Sequence, residues 1–249
     1  VLSGVDIKAA EDMEKAAERI RKAHDNKEKV TIYGDYDVDG ITSIAILYKY
    51  LTEMGIDTDY YVPDRMQEGY GVNKDALDKI HSNGSSLVIT VDTGITAVEE
   101  SEYAKEIGID VIVTDHHECK ERIPDVYAAI DPKRKDCPYP FKSLAGVGVV
   151  FKLIQALDEN KSLSDLMDKY ADLMCLGTVA DISPLIDENR VIVTEGLKRF
   201  KTTSNVGLKA LIDVSTNGKA ITTSTIGYTI APRINASGRL GCASRSVEL

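Results

Sequence analysis

The chain has 249 residues, of which 43% are hydrophobic and 28% are charged, and its formal net charge at pH 7 is −10. Its length accommodates one large domain or two smaller ones, and its composition is ordinary for a soluble globular protein. The negative charge argues against a protein that coats nucleic acid with its whole surface, although it leaves room for a local site whose carboxylates bind cations.

No segment approaches the roughly 18 to 20 consecutive apolar residues that a membrane span requires, and the first residues lack the pattern of a signal peptide. The four cysteines show neither a CxxC motif nor a paired spacing, which is typical of free thiols in a reducing cytoplasm. We therefore expect a cytoplasmic protein without membrane contacts. Because the chain begins with Val1 rather than Met, we also expect it to be a piece of a longer parent.

Apolar periodicity predicts alternating helices and strands in the first half of the chain. Helices are predicted at residues 6–29, 41–54, 74–81 and 96–107, and strands at residues 30–33, 58–62, 87–91, 111–114 and 126–130. Such alternation is typical of a mainly parallel sheet with helices on both faces, so the predicted fold class is α/β. After residue 146 the pattern becomes helical, with helices predicted at residues 147–157, 163–176, 195–200 and 206–214.

Acidic or imidazole side chains directly follow three of the predicted strands. Asp35, Asp37 and Asp39 follow the first strand, Asp92 follows the third, and Asp115, His116 and His117 follow the fourth. Parallel strands end at one edge of a sheet, where open α/β folds build their sites, so we expect these side chains to meet there and hold a hard cation. Two simpler interpretations stay open: an acidic turn that caps the next helix, and a solvated turn that carries both histidines.

Several familiar motifs fail on particular residues. The carboxylates of residues 35–40 resemble half of an EF-hand, but the twelfth position, which needs a bidentate Glu, is Ile46. The segment that begins with Asp92 resembles an aspartic protease motif, yet a single copy on an α/β pattern lacks the second carboxylate. A glycine-rich string after residue 145 has Phe151 where a dinucleotide motif needs its third glycine. Zinc binding by Cys119 and the adjacent histidines lacks a second pair of ligands.

The ordered motifs nevertheless resemble a known group of enzymes. The strings Gly34-Asp35-Tyr36-Asp37-Val38-Asp39-Gly40, Val91-Asp92, Asp115-His116-His117 and Gly177-Thr178-Val179-Ala180-Asp181 resemble the first four motifs of the DHH phosphoesterase superfamily. Two further strings, Pro63-Asp64-Arg65 with Glu68-Gly69-Tyr70-Gly71 and residues 232–240, are similar to the RecJ family of bacterial exonucleases. The resemblance runs from about Val30 to the end of the chain. It implies a DHH catalytic domain at residues 1–187, a helical connector at residues 188–214, and the truncated start of a substrate-binding lobe at residues 215–249.

The resemblance also implies a phosphodiesterase that uses two Mn²⁺ or Mg²⁺ ions. Carried over position by position, one ion is held by Asp39, Asp92, His116 and Asp181, and the other by Asp37 and Asp92. The implied catalytic residues are Asp37, Asp92 and His117, with His117 at the scissile phosphate, while Asp35 and Asp115 have auxiliary roles such as orienting an imidazole. Many relatives place a His at the position of Tyr33, so we expect the second site to be the weaker one.

For the substrate, the resemblance implies single-stranded DNA with a 5′ end, degraded to 5′-mononucleotides in DNA repair and recombination. Arg65, Arg233, Asn235 and Arg239 are the predicted DNA contacts, with Arg65 reading the 5′-phosphate; the simpler alternative is a set of surface arginines. The expected protein is a monomer, with single-stranded-DNA-binding protein and a helicase as further candidate partners. Because the second lobe is truncated, we expect weak activity and poor processivity.

Two other functions compete with this one. A DHH phosphodiesterase for short oligonucleotides, cyclic dinucleotides or pyrophosphate would share the metal ligands, but the strings at residues 63–71 and 232–240 argue against it. A degenerate DHH domain that serves as a scaffold would not need every acidic ligand and both histidines, all of which are present here.

Overall fold

Five parallel strands organise the molecule. The computed structural model describes residues 12–65, 67–158, 160–216, 218–239 and 243–249. Within these ranges the first elements are α1 (Met13–Asn26), β1 (Lys29–Gly34), α2 (Val38–Glu53), β2 (Thr58–Tyr61), α3 (Lys74–Ser82), β3 (Ser85–Val91), α4 (Val98–Glu106), β4 (Asp110–Thr114) and β5 (Ala128–Ile130). There follow α5 (Gly146–Leu157), α6 (Leu163–Ala180), α7 (Asp187–Phe200), α8 (Val206–Thr216), α9 (Thr223–Thr225), a π-helical turn (Ile226–Ile230), α10 (Ala231–Arg239) and α11 (Ala243–Glu248).

The strand order is β2-β1-β3-β4-β5, and every neighbouring pair is parallel. The chain adds β2 on one side of β1 and then crosses to place β3 on the other side. The order therefore reverses between β1 and β3, and such a switch point opens a crevice at the carboxyl ends of the strands. The predicted α/β fold with a parallel sheet is confirmed.

Both faces of the sheet are covered by helices, as the nearly continuous apolar strands predict. Successive side chains of a strand point to opposite faces. Ile32 and Ile89 accordingly lie in the apolar cluster that includes α1, α2 and α5. Their neighbours Tyr33 and Val88 lie in the cluster formed with α3 and α4. The strand ends are thus held between two packed layers.

Helix α7 begins earlier than its sequence indicates. The apolar pattern predicts a helix from residue 195, whereas the observed helix begins at Asp187. The early turns carry polar side chains that are nonetheless buried: Glu188 is fully enclosed and pairs with Lys152 of α5, with 2.5 Å between Nζ and Oε2. Tyr139 donates a hydrogen bond to the other carboxylate oxygen at 2.7 Å. A buried ion pair does not register as apolar periodicity, so the pattern does not reveal where this helix starts.

The last helices pack onto the same body. Ile226, Ile230 and Ile234 lie in one apolar cluster with Val38 and Ile41 at the start of α2. Helix α10 therefore sits beside the segment that follows β1. The predicted boundaries at residues 188 and 215 stay predictions. In the part of the chain that the structure describes, no helix has the length and apolar character to cross a bilayer.

The Lys152–Glu188 pair gives a stability prediction. Glu188→Ala is expected to lower the free energy of unfolding by about 3–5 kcal/mol, because it leaves an ammonium group unpaired in the interior. The double variant Lys152→Met/Glu188→Gln is expected to lose much less, since no buried charge remains and Tyr139 keeps an acceptor. Urea denaturation of the three proteins measures both values, and an equal loss in the single and double variants would contradict the prediction.

Candidate metal centre

Four adjacent strands deliver an aspartate to the same edge of the sheet. Gly34 pairs with Val91, Val91 with Thr114, and Thr114 with Ile130. The next residues along the four strands are Asp35, Asp92, Asp115 and Asp131. All four are at least 95% buried. Asp131 was not predicted to lie here, although Ala128-Ala129-Ile130-Asp131 repeats the pattern of an apolar run that ends in Asp.

Asp92 and His116 form the middle of the site. Nε2 of His116 lies 3.0 Å from Oδ1 of Asp92, 3.7 Å from Oδ2 of Asp39 and 3.9 Å from Oδ1 of Asp181. Asp92 has a left-handed backbone, with φ of 58°. Such a conformation is costly for a residue other than glycine and is typical of functional sites. A side chain at Gly146 would place its Cβ 2.8 Å from Oδ1 of Asp92, so that glycine allows the close approach of α5.

Each of the other carboxylates is held at the end of a helix. Asp39 accepts hydrogen bonds from the backbone N–H groups of Gly146 and Val147 at 2.6 and 2.9 Å, at the positive end of α5. Asp37 caps α2 by accepting a bond from Gly40 N at 3.0 Å. Asp181 is the C-cap residue of α6, and its carboxylate accepts a hydrogen bond from the hydroxyl of Ser183 at 2.6 Å. These hydrogen bonds orient the three carboxylates and bring no positive side chain to them.

A second group of ligands lies beside the first. One oxygen each of Asp35, Asp37 and Asp92 lie within 4.8 Å of one another. Tyr33, where a His was expected from the family resemblance, is not part of this group: its hydroxyl donates to the carbonyl of Gly71 at 2.8 Å. The second candidate site is therefore made of carboxylates alone.

The electrostatics of the centre favour a bound cation. Burial, reinforced by neighbouring carboxylates, raises the pKa of Asp39 and Asp92 well above the usual value and that of Asp35 to about 7. Burial lowers the pKa of His116, so its imidazole is neutral. Oδ1 of Asp35, Oδ1 of Asp92 and Nε2 of His116 are buried without a hydrogen-bond partner. A divalent cation would pair with these buried acceptors and offset the repulsion among the carboxylates. These residues therefore fit Mn²⁺ or Mg²⁺.

Asp115 holds His117 at the rim of the centre. Its Oδ1 lies 2.7 Å from Nδ1 of His117 and accepts bonds from two backbone N–H groups, while its Oδ2 accepts from Ile95 N at 2.9 Å. Burial opposes ionisation of Asp115, but these bonds outweigh it and lower its pKa. The same carboxylate raises the pKa of His117. The ring of His117 is 44% exposed, and it therefore faces the solvent side of the centre.

The structure describes the side chains of three of the four predicted DNA contacts. Arg65 is exposed, its guanidinium carbon lies 5.0 Å from the centre of the Tyr36 ring, and its charge acts on Asp35. Arg233 donates to the carbonyl of Thr229 at 2.5 Å, one turn earlier. Asn235 is half-buried, with an unpartnered Oδ1. The side chain of Arg239 lies outside the described residues.

Comparison with known proteins agrees with this geometry. Residues 29–178 match the family model described as DHH family, N-terminal domain, so the chain belongs to the DHH family. Its particular relatives are exonucleases. It is 50% identical over 239 residues to the single-stranded-DNA-specific exonuclease RecJ of Bacillus subtilis, and 38% identical over 250 residues to the RecJ of Escherichia coli. These matches cover 95% of this chain but only 30% and 43% of the two relatives.

A solved structure shows the same fold. The crystal structure of RecJ in complex with Mn²⁺ from Thermus thermophilus superposes with a TM-score of 0.82 at 34% sequence identity. The superposition covers 96% of this chain and 34% of that one. The predicted membership of the DHH superfamily and the resemblance to RecJ are confirmed.

Asp92→Asn tests the repulsion in the centre. Asn tolerates the left-handed backbone and removes one charge, so the variant is expected to have a higher Tm than the unmodified protein in EDTA at pH 8. In Mn²⁺ the order is expected to reverse, because the unmodified protein gains binding energy that the variant has lost. Thermal unfolding by circular dichroism measures both conditions. A variant that keeps the full Mn²⁺-induced rise in Tm would contradict the assignment.

Asp131→Asn is the matched control, since Asp131 is equally buried but belongs to neither ligand group. Burial raises the pKa of Asp131 to about 7, above roughly 3.9 for an unfolded chain. The folded state therefore retains the proton more strongly, and this contribution to stability is lost as the pH rises through 7. Asp131→Asn is expected to add on the order of 4 kcal/mol at pH 8 and almost nothing at pH 4. Its Mn²⁺ response should match that of the unmodified protein.

Proposed function

We propose that this chain is a divalent-metal-dependent phosphodiesterase that removes nucleotides from the 5′ end of single-stranded DNA. The observation that carries the proposal is a pair of adjoining ligand groups with buried acceptors left unpaired. Asp39, Asp92 and Asp181 surround the imidazole of His116, and Asp92 also lies beside Asp35 and Asp37. The substrate class follows from the RecJ relatives, whose names specify single-stranded DNA. Since the chain spans less than half of those proteins, the activity of the whole protein is part of the proposal.

Two groups of side chains would hold the ions. Asp39, Asp92, His116 and Asp181 would hold one, as predicted. Asp37 and Asp92 would hold the other, with Asp35 as an added ligand, because its unpaired oxygen lies in the same group. Metal ions in such a pair activate a water molecule and stabilise the attacking and leaving oxygens of an in-line displacement.

The remaining residues act on the substrate. Asp115 fixes the ring of His117 through Nδ1, which directs Nε2 towards the open side of the centre. We assign His117 to the scissile phosphate and Arg65 to the terminal 5′-phosphate. Arg233, Asn235 and Arg239 are assigned to the following phosphates. We also propose that the protein is a cytoplasmic monomer that works in DNA repair and recombination. Its proposed partners are single-stranded-DNA-binding protein and a helicase.

The two ions are expected to bind with unequal affinity. The site that contains His116 has a neutral imidazole ligand, whereas the ligands of the other site are carboxylates that repel one another. Isothermal titration with Mn²⁺ should resolve a tighter and a weaker site. Asp35→Asn is expected to weaken the weaker site by about tenfold or more and to leave the tighter site unchanged. Asp181→Asn is expected to do the reverse. Two sites of equal affinity in the free protein would refute this assignment.

The nuclease itself is tested by release of nucleotides in Mn²⁺ from labelled single-stranded DNA, a dinucleotide and pyrophosphate, with Asp92→Ala as the blank. We expect release from single-stranded DNA alone. Arg65→Ala is expected to lower the preference for 5′-phosphorylated over 5′-hydroxyl DNA by about tenfold or more, since it removes a charged hydrogen bond. Arg122→Ala, at an exposed arginine that pairs with Glu102, is the control. An unchanged preference in Arg65→Ala would remove Arg65 from the site, and cleavage of pyrophosphate alone would overturn the proposed substrate.

A further inference from the structure

Tyr70 is an exposed aromatic residue whose polar end points into the metal centre. The residue is 55% exposed, yet its hydroxyl lies 3.4 Å from Nε2 of His117. The two rings meet edge to face, with 6.1 Å between their centres and 74° between their planes. The opposite nitrogen of His117 lies 2.7 Å from Asp115. Asp115, His117 and Tyr70 therefore form a row that leads from the buried edge of the sheet to its solvent side.

The turn that carries Tyr70 has a defined backbone. Gly69 and Gly71, on either side of Tyr70, have φ angles of 79° and 91°, which favour glycine because it has no Cβ. Just before the turn, Glu68 accepts hydrogen bonds from Asp64 N at 2.7 Å and from the hydroxyl of Tyr61 at 2.6 Å. The position of Tyr70 beside His117 is therefore set by its own loop rather than by an incidental surface contact.

Tyr33 fixes the other side of the same turn. This buried strand residue donates its hydroxyl to the carbonyl of Gly71 at 2.8 Å and accepts a bond from Asn73 at 3.3 Å. Its ring stacks on Tyr61, with 5.4 Å between the centres. Tyr33, a buried residue of β1, thus holds the backbone directly after Tyr70.

The spacing of Tyr70 and His117 suits a shared ligand better than a bond between them. A separation of 3.4 Å is long for a hydrogen bond between a hydroxyl and a nitrogen. An oxygen atom of a ligand that contacts both groups can, in contrast, lie about 2.8 Å from each. A phenol is protonated at neutral pH and donates without adding charge, which suits an anion that approaches a centre crowded with carboxylates.

We propose that the hydroxyl of Tyr70 is a second phosphate contact of the reaction, which together with His117 clamps one oxygen of the scissile phosphate, and that Tyr33 is a positioning residue that acts through Tyr70. This inference rests on the proposed function for the identity of the phosphate. No covalent step is added: Tyr70 donates a hydrogen bond, and its contribution is greatest where negative charge develops on the oxygen.

The experiment compares Tyr70→Phe, Tyr33→Phe and the double variant with the unmodified protein. Tyr103→Phe is the matched control, because Tyr103 donates a hydrogen bond to Asp78 on the surface, away from the centre. Three quantities are measured: Mn²⁺ affinity, affinity for inorganic phosphate in the presence of Mg²⁺, and kcat and KM on 5′-phosphorylated single-stranded DNA. Phosphate binding does not require catalytic turnover, so it tests the phosphate contact of Tyr70 even if the protein does not cleave DNA.

Tyr70→Phe is expected to weaken phosphate binding about tenfold and to lower kcat by about tenfold to hundredfold, with little change in KM or in Mn²⁺ affinity. Tyr33→Phe should show a smaller loss that disappears in the Tyr70→Phe background, since the two hydroxyls act in series.

Tyr70→Phe with unchanged phosphate affinity and kcat would overturn the clamp. Equal losses from Tyr33→Phe in both backgrounds would overturn its positioning role. Absence of DNA cleavage by the unmodified protein, with phosphate binding still sensitive to Tyr70→Phe, would overturn the proposed substrate and leave the clamp supported.

Discussion

Mutual repulsion among buried carboxylates is the constraint on which the rest of this structure depends. Asp35, Asp39 and Asp92 lie close together with little water around them, and burial opposes the ionisation of each. A chain would not keep such a group for stability, since isolated buried charges cost far more than they return. The packed sheet, the helix ends and the close-fitting glycines supply the rigidity that holds these side chains in place.

The geometry of the fold holds these carboxylates together despite their repulsion. Parallel strands align their ends, and the switch point between β1 and β3 leaves a crevice at the place where Asp39 and Asp92 project. Helix α5 contributes through the positive end of its dipole, with two N–H groups on Asp39. The sheet and its helices therefore align the strand ends, and the residues of the metal centre lie in the loops and helix ends that follow them.

Much of this could be predicted from the sequence, because the rule for parallel strands is simple. Short apolar runs that end in Asp or His identify β1, β3 and β4, and the rule then brings Asp92 and His116 together without further information. Asp131 was missed although a strand was predicted at residues 126–130, directly before it; the observed strand is Ala128–Ile130. The contact between Tyr70 and His117 joins residues 47 positions apart through a turn, and no periodicity encodes such a contact.

The left-handed backbone at Asp92 has a consequence for how the protein changes over time. Few residues tolerate that conformation, and among them Asn and Gly remove the charge and relieve the repulsion. Asn or Gly at this position would therefore remove a proposed metal ligand and keep a backbone conformation that the residue tolerates. Such variants would be folded proteins, which the cellular triage of unfolded chains does not remove. Stability alone therefore gives no reason for an Asp at position 92, whereas the proposed binding of a cation by its carboxylate does.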